Sequence, residues 1–425
     1  MPSDAALDGA AMRSETMRGD GGRWRTMRPS GACRVSPLLA ALPLRPSAAA
    51  FRPLVPLLLL AACASPRDAA LQERPDSTLV AQAFLGHTLW LPAGFQVSLF
   101  ADGVDGVRFM ALGPGGEVYA TRTESGKVVR FSDQNHNGVA DRVSTVLTGL
   151  NEPHGLAFRG ETLYVAETNR VVRFDLPRTT PVVLVPNLPS GGGHSTRTLL
   201  LRGDQMYVSI GSSCNLCDES DRRRAAVVRY RLDGSGEELF ATGLRNSVGL
   251  AFSPETGDLW ATNNDRDNLG DDLPPDRVNI LRHGRFYGWP LCYLPGKPNP
   301  EYASQAGTCG EVTGPAVTFP AHSAPLGLAF YQGTTFPEQY RGSAFVAFHG
   351  SWNRSFPTGY RVVFLPTQKG APTGGWKNFI LGWQEGRRRW GRPVDVLPLS
   401  DGSMLISDDE GGRIYRVTYG GAVSR

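Results

Sequence analysis

This 425-residue sequence has no apolar run long enough to cross a bilayer, because its one sustained run (Leu54, Val55, Leu57, Leu58, Leu59, Leu60) is too short. Charge is also sparse. Only 20% of residues are charged, the net charge is +4, and much of the arginine lies in the first 52 residues and at Arg387, Arg388 and Arg389. No basic stripe interleaved with aromatics is present, which argues against a nucleic-acid partner. What the chain has in excess is 50 glycines and 32 prolines, a composition that opposes a helical bundle and suits short strands joined by tight turns. All-β units often exceed the usual domain length, so one domain is compatible with this size.

The N-terminal part reads separately. Residues 1–50 are rich in Arg, Ala and Pro without periodicity, and Met27 offers a later start. Arg52, the short apolar run and Leu60-Ala61-Ala62-Cys63 then have the layout of a secretory signal. The ending resembles a bacterial lipobox, in which Cys63 is lipidated and becomes the mature N-terminus. Ala64 suits outer-membrane sorting in a Gram-negative cell, and the alternative is an ordinary signal peptide that contains a cysteine. The expected layout is a poorly ordered extension and lipoprotein-type signal over 1–62, a tether over 63–85 and one folded domain over 86–420. The product would be a periplasmic protein whose only membrane association is its lipid anchor.

Four cysteines remain once Cys33 and Cys63 are set aside: Cys214, Cys217, Cys292 and Cys309. Four cysteines allow three pairings. Cys214–Cys217 and Cys292–Cys309 are favoured because each closes a short loop. Zinc competes for the Cys-x-x-Cys pair, but export to an oxidising compartment favours disulfides.

An internal repeat decides the fold class. An apolar strand, a Gly/Asp turn and a second apolar strand recur six times: FMALGPGGEVYATRT from Phe109, HGLAFRGETLYVAET from His154, RTLLLRGDQMYVSIG from Arg197, VGLAFSPETGDLWATN from Val248, a longer LGLAFYQGTTFPEQYRGSAFVAFHG from Leu326, and VDVLPLSDGSMLISDD from Val394. Each unit is followed by a further β-like segment, among them VVRFSD, VVRFDL, VVRYRL and IYRVTY. Such a unit cannot bury both faces alone. Six around an axis can, which predicts an all-β, six-bladed β-propeller. The units start about 45 residues apart at first (Phe109 to His154) and well over 60 apart later (Leu326 to Val394), so the late blades should carry long loops, near 291–325 and 366–391, that contact substrate.

Ligand sites of propellers sit at one mouth of the channel, on loops leading into the innermost strands. The residues at that position are polar: Glu152 and His154, His194 and Arg197, Arg245 and Asn246, His322, and Arg392 and Asp395. Residues from one equivalent position in successive blades converge in space.

At this point a family likeness emerges. Gly191-Gly192-Gly193-His194, Gly243-Leu244-Arg245-Asn246 before VGLAF, and FYGWP from Phe286 resemble the PQQ-dependent glucose/sorbosone dehydrogenase family. GSSCNLCDE, HSAPLGLAFY and HGSWNRS are similar to its sorbosone-dehydrogenase-like bacterial branch, and the likeness spans roughly residues 88–419. The resemblance implies that His194 is the base that takes the sugar hydroxyl proton; the alternative is that it only caps a Gly-rich turn. It implies that Arg245, Asn246, Asn264, Asp272 and Arg392 bind the cofactor. Guanidinium forks suit the three carboxylates of PQQ. Trp352 would either stack on the quinone or pack in the core. Glucose-oxidising members carry a second arginine two residues after Arg392, where this chain has Val394.

The resemblance also implies calcium against PQQ, held by the backbone carbonyls of Asp265 and Arg266, with a solvated acidic turn as the alternative. Asp133-x-Asn135-x-Asn137-Gly138-x-x-Asp141 reads as a second, structural calcium turn away from the chemistry, although Ser144 stands where an EF-hand has glutamate. The implied function is oxidation of a sugar or related aldehyde, with His194 as base and electrons passed to a periplasmic acceptor. Glu152, His154, Arg197 and His322 would face the sugar. The competing readings are a calcium lactonase-type hydrolase and a non-catalytic envelope propeller.

Overall fold

The computed structural model describes residues 76–420. Met27, the lipobox and Cys63 lie outside the described residues. Within them, six blades of four antiparallel strands follow one another along the chain, blade III being extended by a short fifth strand that pairs in parallel. Blade I comprises Val107–Leu112, Val118–Arg122, Lys127–Ser132 and Arg142–Leu147, and blade II comprises Leu156–Arg159, Thr162–Glu167, Arg170–Asp175 and Val182–Val185. Blade III comprises Arg197–Arg202, Gln205–Ile210, Ala226–Arg231 and Glu238–Thr242, and blade IV comprises Leu250–Phe252, Leu259–Asn263, Asp276–Leu281 and Val317–Phe319. Blade V comprises Pro325–Phe330, Ala344–Phe348, Arg361–Leu365 and Lys377–Ile380. Blade VI comprises Pro393–Pro398, Met404–Asp408 and Arg413–Tyr419, and its outer strand, Phe95–Ala101, comes from before blade I. The innermost strands contact one another in a closed ring, I to II through VI and back to I. The chain is the six-bladed propeller that the repeat predicts.

The periodicity explains the packing. Each strand is rich in β-branched and aromatic residues, and in blade III Val208 pairs with Leu199 on one side and Val228 on the other. Both faces of a blade are apolar, so the core is split into layers between blades. Tyr164, Leu199 and Val228 fill the II–III layer, Leu244, Leu259 and Tyr287 the III–IV layer, and Trp260, Phe330 and Val346 the IV–V layer. The V–VI layer is an aromatic block. Phe95 meets Phe336, Tyr340 and Phe379 edge-on with centroids 4.8–5.1 Å apart. Phe95 belongs to the strand that closes the ring, so this block holds the two ends of the propeller together.

Two expectations about the margins change. The tether does not extend to residue 85: Leu79–Phe84 pairs with His87–Pro92 as a hairpin, which docks through mutual Trp90–Leu381 backbone hydrogen bonds. Buried Leu89 and Leu91 explain why this segment folds onto the body. The long late loops are built structures. Between the last two strands of blade IV, Arg285–Phe286 pairs with the outer strand of blade III, and a short hairpin and the 3-10 segment Pro300–Glu311 are closed by the Cys292–Cys309 disulfide. The second disulfide joins Cys214 and Cys217.

Candidate active site

In each blade the first strand runs away from one mouth of the channel and the second returns to it. The loop before strand one and the loop after strand two therefore share that end. These two sets of loops line a cavity of about 470 Å³. His194, Arg245, Asn246, His322 and Arg392 come from the first set, and Asn215, Asn264, Asp265, Asp267, His349, Trp352 and Asn353 from the second. Arg108, at the start of blade I, and Arg392 border a second, more open groove of about 820 Å³ that also takes in Glu124, Glu152 and Asp409.

His194 follows a glycine turn that only glycine permits. Gly192 has φ +82°, and a Cβ there would lie 2.3 Å from the Ser213 carbonyl oxygen. Across the site, a Cβ on Gly211 would lie 2.7 Å from His194 Cβ. The His194 Nδ1 lies 2.8 Å from the Ser212 carbonyl oxygen, an acceptor only, so Nδ1 carries the proton and Nε2 holds a free lone pair. Burial, and next the charge of Arg245, push its pKa down to about 4. The ring is thus neutral and a proton acceptor at neutral pH.

Arg245 is buried and donates to the Asn215 carbonyl (3.1 Å), to Asn215 Oδ1 (3.0 Å), to Asp267 Oδ2 (3.1 Å) and to the Asp265 carbonyl (2.6 Å). Asp267 also accepts from Asn353 Nδ2 at 2.7 Å. Although burial pushes the Asp267 pKa up, His322, Arg245 and Asn353 hold it below the usual carboxylate value. Arg392 donates to the carbonyls of His349 and Gly350. Arg108 pairs with Asp409, whose other oxygen accepts from His349 Nε2 at 2.9 Å. Asp276 is fully buried and accepts two backbone N–H bonds, from Asp265 and Ala324, with no salt bridge among the described residues; burial raises its pKa to about 7 against the opposing pull of these bonds and His322. A buried carboxylate of this kind suits a hard cation.

Several expected site residues stand elsewhere. His154 and Arg197, expected to face substrate, are buried beneath the mouth and line neither cavity. His154 packs against the Phe109 ring at 4.2 Å, and the Arg197 guanidinium is consumed by the carbonyls of Pro189, His194 and Thr196. Asp272, expected at the cofactor, has an 89% exposed carboxylate paired with Arg354 and does not line the cavity. Of the expected calcium donors, Asp265 lines the cavity, with its carbonyl accepting from Arg245, and Arg266 does not. Glu152 borders the open groove only. Trp352 is no core residue: it is 78% exposed on the rim. The Asp133–Asp141 turn lies between the two outer strands of blade I, away from this mouth, where the sequence puts it: Asp133 and Asn135 accept from the Asn137 N–H, and Asn135 Nδ2 donates to Asp141. Of the long late loops, only His322 and Ala324 line the cavity, and nothing from 366–391 does.

Sequence reasoning missed Arg108, Asn215, Asp267, Asp276, His349, Asn353 and Asp409. Arg108 had a signal, since it directly precedes the first repeat at Phe109. Asn215, Asp267, His349, Asn353 and Asp409 follow second strands and Asp276 begins a third strand, positions outside the rule that reads loops before first strands.

The mouth of this closed propeller gathers three arginines and a neutral histidine, groups able to hold an anion and take a proton. The chain belongs to the TrAA12-like family, which it matches over residues 89–299 and 295–420. It is similar to a Hypocrea jecorina pyrroloquinoline quinone-dependent sugar dehydrogenase, 26% identical across 61% of this chain and 72% of that one. Among solved structures, the holo PQQ domain of Coprinopsis cinerea pyranose dehydrogenase superposes with a TM-score of 0.69 at 21% identity, covering 78% of this chain and 97% of that domain. The calcium structure of the Trichoderma reesei family AA12 enzyme gives 0.66 at 23% identity, covering 77% and 96%.

Proposed function

We propose that this chain is a PQQ- and calcium-dependent oxidoreductase that oxidises a sugar or related aldehyde and passes the electrons to a periplasmic acceptor. One observation carries the reading: Arg108, Arg245 and Arg392 line one cavity with a histidine whose free ring nitrogen is unprotonated. The cavity volume is ordinary for a cofactor site, and three guanidinium groups match the three carboxylates of PQQ. Asp276, with the nearby backbone carbonyls, supplies the oxygen donors that calcium prefers. Bound PQQ and calcium would supply the two-electron oxidant and its polarisation. The chain's own residues do the rest. Arg245, Asn246 and Arg392 hold the cofactor, and His194 Nε2 accepts the substrate hydroxyl proton as the C–H bond gives up hydride. The rim at Trp352 and the groove beside Glu152 receive the sugar. The likeness to sugar and pyranose dehydrogenases supports this substrate class, and the sorbosone-like motifs favour a small aldose or aldosone.

The test is reconstitution. Apo-protein is mixed with PQQ and calcium, and the quinone absorbance shift and dye reduction are followed over an aldose panel. Binding with substrate-dependent dye reduction is expected, and no binding at micromolar PQQ overturns the proposal. We further propose export and a lipid anchor at Cys63. A Cys63→Ser protein that still carries acyl chains by mass would refute the anchor.

A further inference from the structure

The loop between the second and third strands of blade III carries the stretch Ser212 to Glu219, which the oxidation chemistry does not use directly. Its Cys214–Cys217 disulfide closes a ring of four residues, and Asn215 lies inside that ring. The ring is tied down on both flanks. Ser212 Oγ donates to the Cys214 carbonyl at 2.6 Å, and Ser213 donates through its N–H and hydroxyl to Glu219 at 2.6 and 2.8 Å. A backbone held this way presents the Asn215 carbonyl and amide at fixed positions.

Those groups join three loops. The Asn215 carbonyl accepts from Arg245 Nε (3.1 Å) and Trp289 Nε1 (3.2 Å). Its Oδ1 accepts from Arg245 Nη2 (3.0 Å) and the Asp267 N–H (2.7 Å), while its Nδ2 donates to the Asp267 carbonyl (3.2 Å). One residue of the cavity lining therefore orients a guanidinium fork and fixes the backbone of the carboxylate that pairs with it. Arg245 makes five hydrogen bonds, to Asn215, Asp267 and the carbonyls of Asn264 and Asp265, which together fix its orientation.

We infer that Asn215, locked inside the Cys214–Cys217 ring, is the positioning residue that sets Arg245 and Asp267 for the anionic cofactor. The inference rests on the reading of this cavity as a PQQ site. It assigns the disulfide a function in cofactor affinity rather than in overall stability, since three residues of loop constrain the unfolded chain little.

The experiment is a double-mutant cycle on calcium-loaded full-length protein, read by the dissociation constant for PQQ without turnover and by thermal unfolding. Asn215→Ala and Arg245→Ala are each expected to weaken PQQ about 10- to 100-fold, the range for losing a hydrogen bond to a charged group. The double variant should lose clearly less than the two single losses combined, because Asn215 acts through Arg245 and the Asp267 that pairs with it. Additive losses, or an Asn215→Ala protein that binds like wild type, overturn the inference. If Asn215→Ala does not fold, the Cys214→Ser/Cys217→Ser protein replaces it. That protein keeps Asn215 but opens the ring, and unchanged PQQ affinity there is equally adverse. Should wild type itself bind no PQQ, the functional reading fails, and the positioning is read instead from the Arg245 Nη2–H NMR resonance, the donor to Asn215 Oδ1. Its protection from exchange should be lost in Asn215→Ala, and retained protection refutes the positioning too.

Discussion

His194 offers the most direct test of the chemistry. Its pKa is lowered to about 4 by burial and then by Arg245, against an ordinary value of 6.5. The difference of about 2.5 units corresponds to roughly 3 kcal/mol between the protonated and neutral rings. The folded-state pKa lies below the unfolded one, so the unfolded chain binds more protons between pH 6.5 and 4. This residue's contribution to stability therefore falls as the pH drops through that window, and the base is lost only below about pH 4. In the apo-protein, an NMR titration of the His194 ring, assigned by its absence in His194→Gln, should give a midpoint near 4. Arg245→Gln should move that midpoint upward, because it removes the second cause of the shift. In the loaded enzyme, His194→Gln should cut turnover by about 10²- to 10⁴-fold, the usual worth of a positioned base, while PQQ still binds. A midpoint at 6.5, or a variant that turns over normally, would refute the assignment.

The propeller closure, the arginines and a buried acid can be tested in the same preparation. Phe95→Ala should cost about 3–5 kcal/mol in denaturant unfolding, since the ring is 5% exposed among four aromatic neighbours; a loss under about 1 kcal/mol would mean that the closing strand carries little. Arg392→Ala should weaken PQQ about 10-fold or more in an equilibrium titration, and unchanged affinity would remove it from the site. Burial raises the Asp395 pKa to about 7 against an unfolded value of 3.8, so its stabilising proton is lost as pH rises through 7. Asp395→Asn should therefore raise Tm more at pH 8 than at pH 5, and a pH-independent change would contradict the shift.

The propeller was legible because each blade repeats one physical solution: a short apolar hairpin with a Gly/Asp turn, such as RTLLLRGDQMYVSIG around Gly203 and Asp204. The outer strand of blade VI was not legible, since Phe95–Ala101 lies about 300 residues from its partner Arg413–Tyr419 and carries no local sign of the pairing. The hairpin from Leu79 was lost to the tether for a related reason. Its strands are short and half-exposed, and its docking partner Leu381 is remote in sequence. In the site, the rule that loops before first strands converge found His194, Arg245, His322 and Arg392. It also drew in His154 and Arg197, because register decides which of two neighbouring residues faces the mouth. Arg197 begins the inner strand of blade III and turns its guanidinium back onto the His194 carbonyl, so it supports the turn beneath the site.

The same reasoning resolves the residue that departs from the glucose-oxidising pattern. Val394 is fully buried with Leu156 and Leu326 of other inner strands and Val248 just before a third, in the apolar layer below the mouth. An arginine there would have to displace this contact or reach past it. The positive charge at that edge of the cavity comes instead from Arg108 of blade I, which borders both the cavity and the groove and is neutralised in part by Asp409. A ring of blades makes such a substitution possible, because any inner strand can deliver a side chain to the shared mouth. Charge over the whole mouth, rather than at one aligned position, decides what the site can hold, and there Arg108, Arg245 and Arg392 stand beside Asp265, Asp267 and Asp276, a lining that suits an anion together with a cation.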